Sequence, residues 1–209
     1  MVVLLSTGPK TGWELLIACK TASAFRRLGL GICANFLTKI QIRGIMKKIT
    51  IFGVATPYAF EIIETCNRLG LPFGAVDNLG TSDVRLKGSL VEILDFSIPA
   101  IVAPSKPKER AMAVEAGIEM GLNSFTSLID PTAVTASSMT IGCGTYINAM
   151  VTVGANAKIG CHVNLNRSSS VAHDCSVENY ASIAPGTILC GSSVVGLGTL
   201  VGAGSVILP

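Results

Sequence analysis

The stretch from Asn164 to Cys175 reads NLNRSSSVAHDC and holds one of the two histidines in the chain. His173 is followed directly by Asp174. Imidazole titrates near neutrality, and an adjacent carboxylate can hold one ring nitrogen while the other accepts a proton. The pair is therefore a candidate proton-transfer device. It also reads as a solvent-facing turn, because His173 stands two residues after Val171 at a position the local pattern does not demand. His162 has no acidic neighbour and reads as a surface residue. Cys175 reads as core filler rather than a nucleophile. A zinc site built on three histidines is excluded by a total of two, and no metal is expected.

What must position His173 is a repeat. Every sixth residue from Ile141 to Ile207 is aliphatic, twelve in a row without an insertion. Four residues after each of the first eleven stands a small or mid-sized one, from Thr145 through Ala157 and Cys175 to Ser205. Gly follows the aliphatic residue at 142, 154, 160, 196 and 202. A strict period of six predicts a hexapeptide β-helix. Each hexapeptide forms one side of a triangular prism, so twelve make four coils. The aliphatic residue points inward, the small one fits the corner, and Gly and Asn take turns that need positive φ. Stability then accumulates by stacking of neighbours.

Ahead of the repeat, strand and helix signals alternate, which predicts a small parallel sheet. Strands are expected at 49–52, 73–76 and 100–103. One helix is expected from Pro57 to about Leu69, with Phe60, Ile63 and Leu69 inward, and another from Pro107 to Gly121, with Ala111, Val114 and Ile118 on one face. Residues 1–45 match no domain pattern. They carry six Lys/Arg and one acid, against ten and twelve in the remainder. They read as an extension outside the fold, with MKKITIFG from Met46 resembling a natural start, and with a transit peptide as the other reading. The domains expected are thus 1–45 unassigned, 46–128 α/β, and 129–209 β-helix.

A net charge of +3 is too small to argue for nucleic acid. No apolar run reaches the ~18 residues of a membrane span. Seven cysteines without a CxxC pair suit reduced thiols and a cytoplasmic setting.

The order of strand-helix domain, TSLIDPTAV (126–134), hexapeptides and LN-x-SS-x-V-x-HDC resembles one branch of the hexapeptide-repeat acyltransferases. That branch is the sialic acid O-acetyltransferase and UDP-4-amino-sugar N-acetyltransferase family. The resemblance covers about residues 47–209. It implies a Rossmann-like N-terminal domain, a left-handed parallel β-helix, and a homotrimer with active sites between subunits. It implies acetyl-CoA as co-substrate and a nucleotide-linked amino sugar or sialic-acid-like sugar as acceptor, for synthesis of surface glycans. His173 would be the general base, Asp174 its orienting acid and Asn166 an acceptor contact. Gly191 would offer its amide near the thioester, Ser182 falls where a relative has a cofactor-side histidine, and Ala203 matches a position lining the pantetheine arm. Gly53, Asp77 and Asn78 would be the nucleotide-side positions.

Two departures stand beside this resemblance. The turn GVATPY (53–58) keeps only Gly53 of a glycine-rich phosphate loop, and Asn78 replaces the second acid of a pair. Relatives also continue for one or two coils beyond the point matching Pro209. The prism is thus expected to be truncated or covered by a neighbouring chain, and a non-catalytic trimeric scaffold or inactive remnant is the alternative function.

Overall fold

The computed structural model describes residues 48–80, 83–86, 88–90 and 94–209. The extension expected over 1–45 lies outside them. The first unit is a three-stranded parallel sheet of order β2-β1-β3, formed by β1 (Ile49–Phe52), β2 (Phe73–Val76) and β3 (Ala100–Val102). β1 is buried throughout, as expected of a central strand covered on both faces. Helix α1 (Ala59–Leu69) links β1 to β2, and α2 (Pro107–Glu119) follows β3. Pro107 opens α2, where its missing N–H costs nothing, and Gly70 closes α1 in the left-handed region at φ 60°. The small strand-helix unit is present with its three expected strands, but a three-stranded sheet does not support the Rossmann-like domain expected from the resemblance.

Both helix faces match the expectation in part: Phe60 and Ile63 in α1, and Val114 and Ile118 in α2, pack against the core. In α1 the buried residues are Ala59, Ile62, Thr65 and Cys66, while Leu69 is exposed. In α2 they are Arg110, Ala113, Val114 and Gly117, with Ala111 and Ile118 half-buried. The reason for the difference is the same in each case. Each helix turns a polar residue, Thr65 or Arg110, toward partners on the second unit, and polar residues are invisible to a count of apolar periodicity.

The second unit is a parallel β-solenoid of fourteen two-residue strands, β4 (Leu128–Ile129) to β17 (Val206–Ile207), in sheets of five, five and four. Its architecture matches a left-handed β-helix. Strand pairs lie 18 residues apart, as Asn164 with Tyr146 and Ser182. The ladder begins two strands before the aliphatic run, at Ile129 and Thr135. The inward aliphatics, Ile147, Leu165, Ile183 and Leu189 among them, form one continuous core with the corner residues Val151, Ala157, Cys175 and Ala181.

The turn residue is displaced from the expected glycine. The third residue after each inward aliphatic holds positive φ, from 53° to 69°: Gly144, Met150, Asn156, His162, Ser168, Asp174, Tyr180, Gly186, Ser192, Gly198 and Gly204. Three of the glycines one place after the aliphatic, Gly142, Gly154 and Gly160, serve packing instead. A Cβ at Gly142 would lie 2.5 Å from the Cys161 nitrogen, and one at Gly154 would lie 2.7 Å from that of His173.

One face of the prism is covered. Tyr146, Asn164 and Ser182 occupy outward positions of β7 (Tyr146–Ile147), β10 (Asn164–Leu165) and β13 (Ser182–Ile183), yet all three are buried. The first unit sits on them, and the seam is polar. The Arg110 guanidinium, 2% exposed, donates to the carbonyls of His162 (2.7 Å), Tyr180 (2.8 Å), Ala181 (3.0 Å) and Ser105 (2.6 Å) and to Ser182 Oγ (2.8 Å). Burial pushes its pKa down to about 10. Asp130 accepts from Thr65 Oγ1 (2.6 Å) and from Arg68 Nε (2.7 Å).

Candidate active site

His173 follows β11 (Ser170–Val171) on a corner of the prism, and its side chain is 66% exposed. The next residue, Asp174, takes the left-handed corner conformation at φ 59°, which Asp tolerates better than most side chains. Its amide donates to the Ala155 carbonyl of the previous coil at 2.9 Å. That geometry sets Asp174 Oδ2 2.8 Å from His173 Nδ1. One coil earlier, Asn156 donates from Nδ2 to Asp174 Oδ1 at 3.2 Å. The hydrogen bonds from His173 and then Asn156 hold the Asp174 carboxyl below the usual range, so it is ionised at neutral pH and acts as an acceptor. In a neutral imidazole so placed, Nδ1 carries the proton and Nε2 presents its lone pair.

The far edge of the ring lies over Gly191 in the following coil. A Cβ there would meet Nε2 at 2.6 Å and Cε1 at 2.7 Å. The neighbouring amides of Cys190 and Ser192 donate to Ile207 and His173 carbonyls. Among the described residues the Gly191 amide has no protein acceptor. A lone pair and a backbone donor thus sit together at one corner, the pairing that acyl transfer needs.

The other expected residues lie apart. Asn166 is one prism side earlier, on the corner after β10, where its Oδ1 accepts from Asn148 Nδ2 (3.3 Å) and from the Arg167 amide (2.8 Å). Glu61 approaches the same corner, receiving Asn148 Nδ2 (3.3 Å) and pairing with Arg167 Nη1 (2.9 Å). Ser182 lies in the seam, donating to the Ser105 carbonyl and accepting from Arg110. Both sides of that hydroxyl are committed, so it is structural where a cofactor contact was expected. Ala203 is exposed, near the last coil's corner.

Gly53 and Asp77 stand together at the carboxyl ends of β1 and β2, where open parallel sheets bind ligands. Gly53 holds φ 77° with its amide on the Val76 carbonyl. Asp77 Oδ1 accepts from the Leu79 and Gly80 amides, each at 3.0 Å, and Asn78 beside it is partly exposed. Tyr58 reaches the β-solenoid, donating to Asn164 Oδ1 at 2.9 Å, and burial pushes its pKa up to about 12.

His162 is not a surface residue. It is 5% exposed, stacked on Tyr180 at 5.1 Å and meeting Phe125 edge-on at 5.0 Å. The segment joining the two units covers that corner. Sequence reasoning also missed Asn156 and Arg110. The 18-residue spacing of Asn156 from Asp174 was the available signal; nothing local marked Arg110. Among the described residues, no group of three or more His, Cys, Asp or Glu is placed to hold a metal, and no helix is long and apolar enough to cross a membrane.

No family model matches the chain. GDP-perosamine N-acetyltransferase from Escherichia coli O157:H7 is 33% identical over 106 residues, 51% of this chain and 48% of that protein. The chain spans about half the length of that curated relative. Among solved structures, the acetyltransferase domain of PglB from Neisseria gonorrhoeae FA1090, in complex with acetyl coenzyme A, superposes with a TM-score of 0.65 at 23% identity. That match covers 77% of this chain and 81% of the other. PerB from Caulobacter crescentus, in complex with CoA and GDP-perosamine, gives a TM-score of 0.55 at 22% identity, over 79% of this chain and 90% of the other. At these identities the structures speak for the fold. The relatives found bear acetyltransferase names, in agreement with the resemblance drawn from the repeat, and the solved structures share the β-solenoid fold.

Proposed function

We propose, for a chain whose relatives are β-helix acetyltransferases, that it transfers acetyl from acetyl-CoA to the amine of a nucleotide-linked amino sugar. The observation that carries this is the His173 ring, tied through Nδ1 to Asp174 while Nε2 lies over Gly191. His173 Nε2 takes the proton from the acceptor nitrogen as that nitrogen attacks the thioester carbonyl. Asp174 steadies the imidazolium so formed. The Gly191 amide donates to the oxygen that gains charge in the tetrahedral intermediate. Collapse breaks the carbon–sulfur bond, and the imidazolium returns its proton to the departing thiolate. An amine acceptor is favoured over a hydroxyl because the E. coli and C. crescentus relatives bear N-acetyltransferase or perosamine-complex names.

The remaining residues extend this reading. Asn166 would contact the acceptor, Ala203 would line the pantetheine arm, and Gly53, Asp77 and Asn78 would face the nucleotide. Because Asn166 and His173 occupy different corners, a homotrimer that sets one subunit's corner against another's would unite them. The setting that goes with this reading is the cytoplasm.

The test begins with calorimetric titration of acetyl-CoA into the purified chain. Saturable binding is expected, followed by acetylation of GDP-perosamine or a related amino sugar that His173→Ala reduces by roughly 10²-fold or more. A folded chain that binds no acetyl-CoA would overturn the enzyme reading and leave a β-helix scaffold.

A further inference from the structure

Two thiols of the β-helix meet on its outside. Cys143 and Cys161 each stand two residues after an inward isoleucine, and they are 18 residues apart, so they share one corner on successive coils. The Cys143 thiol donates to Cys161 Sγ at 3.2 Å. Both side chains are partly exposed. Cys161 leans back along the stack, since a Cβ on Gly142 would lie 2.7 Å from its sulfur. Stacked parallel strands are spaced by about 4.8 Å, within the roughly 4.4–6.8 Å Cα separation that a disulfide spans. The repeat thus supplies the spacing, and the sulfurs already face each other. The other cysteines of this unit differ. Cys175 is buried, and Cys190 stands where the preceding coil has Ala172.

We propose that Cys143 and Cys161 form a reversible disulfide with a low-molecular-weight disulfide as oxidant. One thiolate of the pair attacks the oxidant's sulfur, giving a mixed disulfide and releasing one small thiol. The second cysteine attacks the protein sulfur of that mixed disulfide and releases the other small thiol. The two chain thiols are oxidised, the oxidant is reduced to two thiols, and the protons of the pair pass to the released thiolates. The bond staples two successive coils beside the segment that joins the units, where Ser127 Oγ donates to the Gly142 carbonyl at 2.6 Å.

The test exposes the full chain to oxidised glutathione, raised until Cys190 carries glutathione, then blocks remaining thiols and maps peptides by mass spectrometry. A Cys143–Cys161 linked peptide, lighter by two hydrogens than its separate parts and released by dithiothreitol, is expected. In Cys161→Ser, Cys143 should instead retain glutathione. Blocked thiols at both positions in the wild type, or stable glutathione on both without linkage, would overturn the proposal.

Discussion

The imidazole of His173 rests across Gly191, eighteen residues and one coil further on, with Nε2 where a Cβ would be 2.6 Å away. A side chain at 191 cannot coexist with this ring position. Gly191→Ala should therefore swing the exposed ring aside without disturbing the core. Transfer is expected to fall by about 10²-fold, the scale of a roughly 1 Å misplacement. The thermal midpoint should hold within a degree or two of wild type. Parallel kinetics and circular dichroism melts check this, and an unchanged rate would refute the placement.

Asp174 fixes which ring nitrogen carries the proton. In Asp174→Asn the amide can donate to Nδ1, which places the proton on Nε2 and removes the base. A loss of roughly 10²-fold or more in kcat is expected, with acetyl-CoA binding retained. Nitrogen-15 spectra of the imidazole would show the tautomer directly.

Arg110 secures the first unit to backbone carbonyls of the second. Arg110→Met strands several buried acceptors, at about 1–3 kcal/mol for each one left unsatisfied. A total loss of about 3 kcal/mol or more in urea unfolding is expected. Arg110→Lys should recover only part of it, because an ammonium cannot reproduce the planar fork that reaches the His162 and Tyr180 carbonyls at once.

Asp130 gives the seam a pH dependence. Burial raises its pKa, but hydrogen bonds from Thr132, Thr65 and Arg68 outweigh it and hold the carboxyl below its ordinary value. A depressed folded pKa means the carboxylate stabilises the fold fully above the unfolded value, about 3.9. That contribution is lost as pH falls through the lower folded value. Asp130→Asn should be less stable than wild type at pH 7, and the gap should narrow at about pH 3, below the unfolded value. Urea unfolding at both values tests it; a constant gap would refute it.

The β-helix was legible because one rule repeats. An aliphatic residue every six positions from Ile141 to Ile207 can bury itself only in a stacked prism, and the small residues between them admit no other corner. The candidate base was legible too, since His173 and Asp174 are adjacent and need no folding to meet. The coil spacing of 18 could also have been applied to pairs, where it joins Asn156 to Asp174, Cys143 to Cys161 and His162 to Tyr180.

Which prism face is covered was decided by tertiary structure alone. Tyr146, Asn164 and Ser182 occupy outward positions that the repeat leaves to solvent, and contacts from distant residues bury them. The same contacts turned Thr65 and Arg110 inward and took Ser182 from the expected cofactor side. The physical reason is that apolar periodicity records burial of carbon against carbon. A seam of hydrogen bonds between residues 52 to 106 positions apart leaves no period in the sequence; its members become recognisable only once folding brings donor and acceptor together.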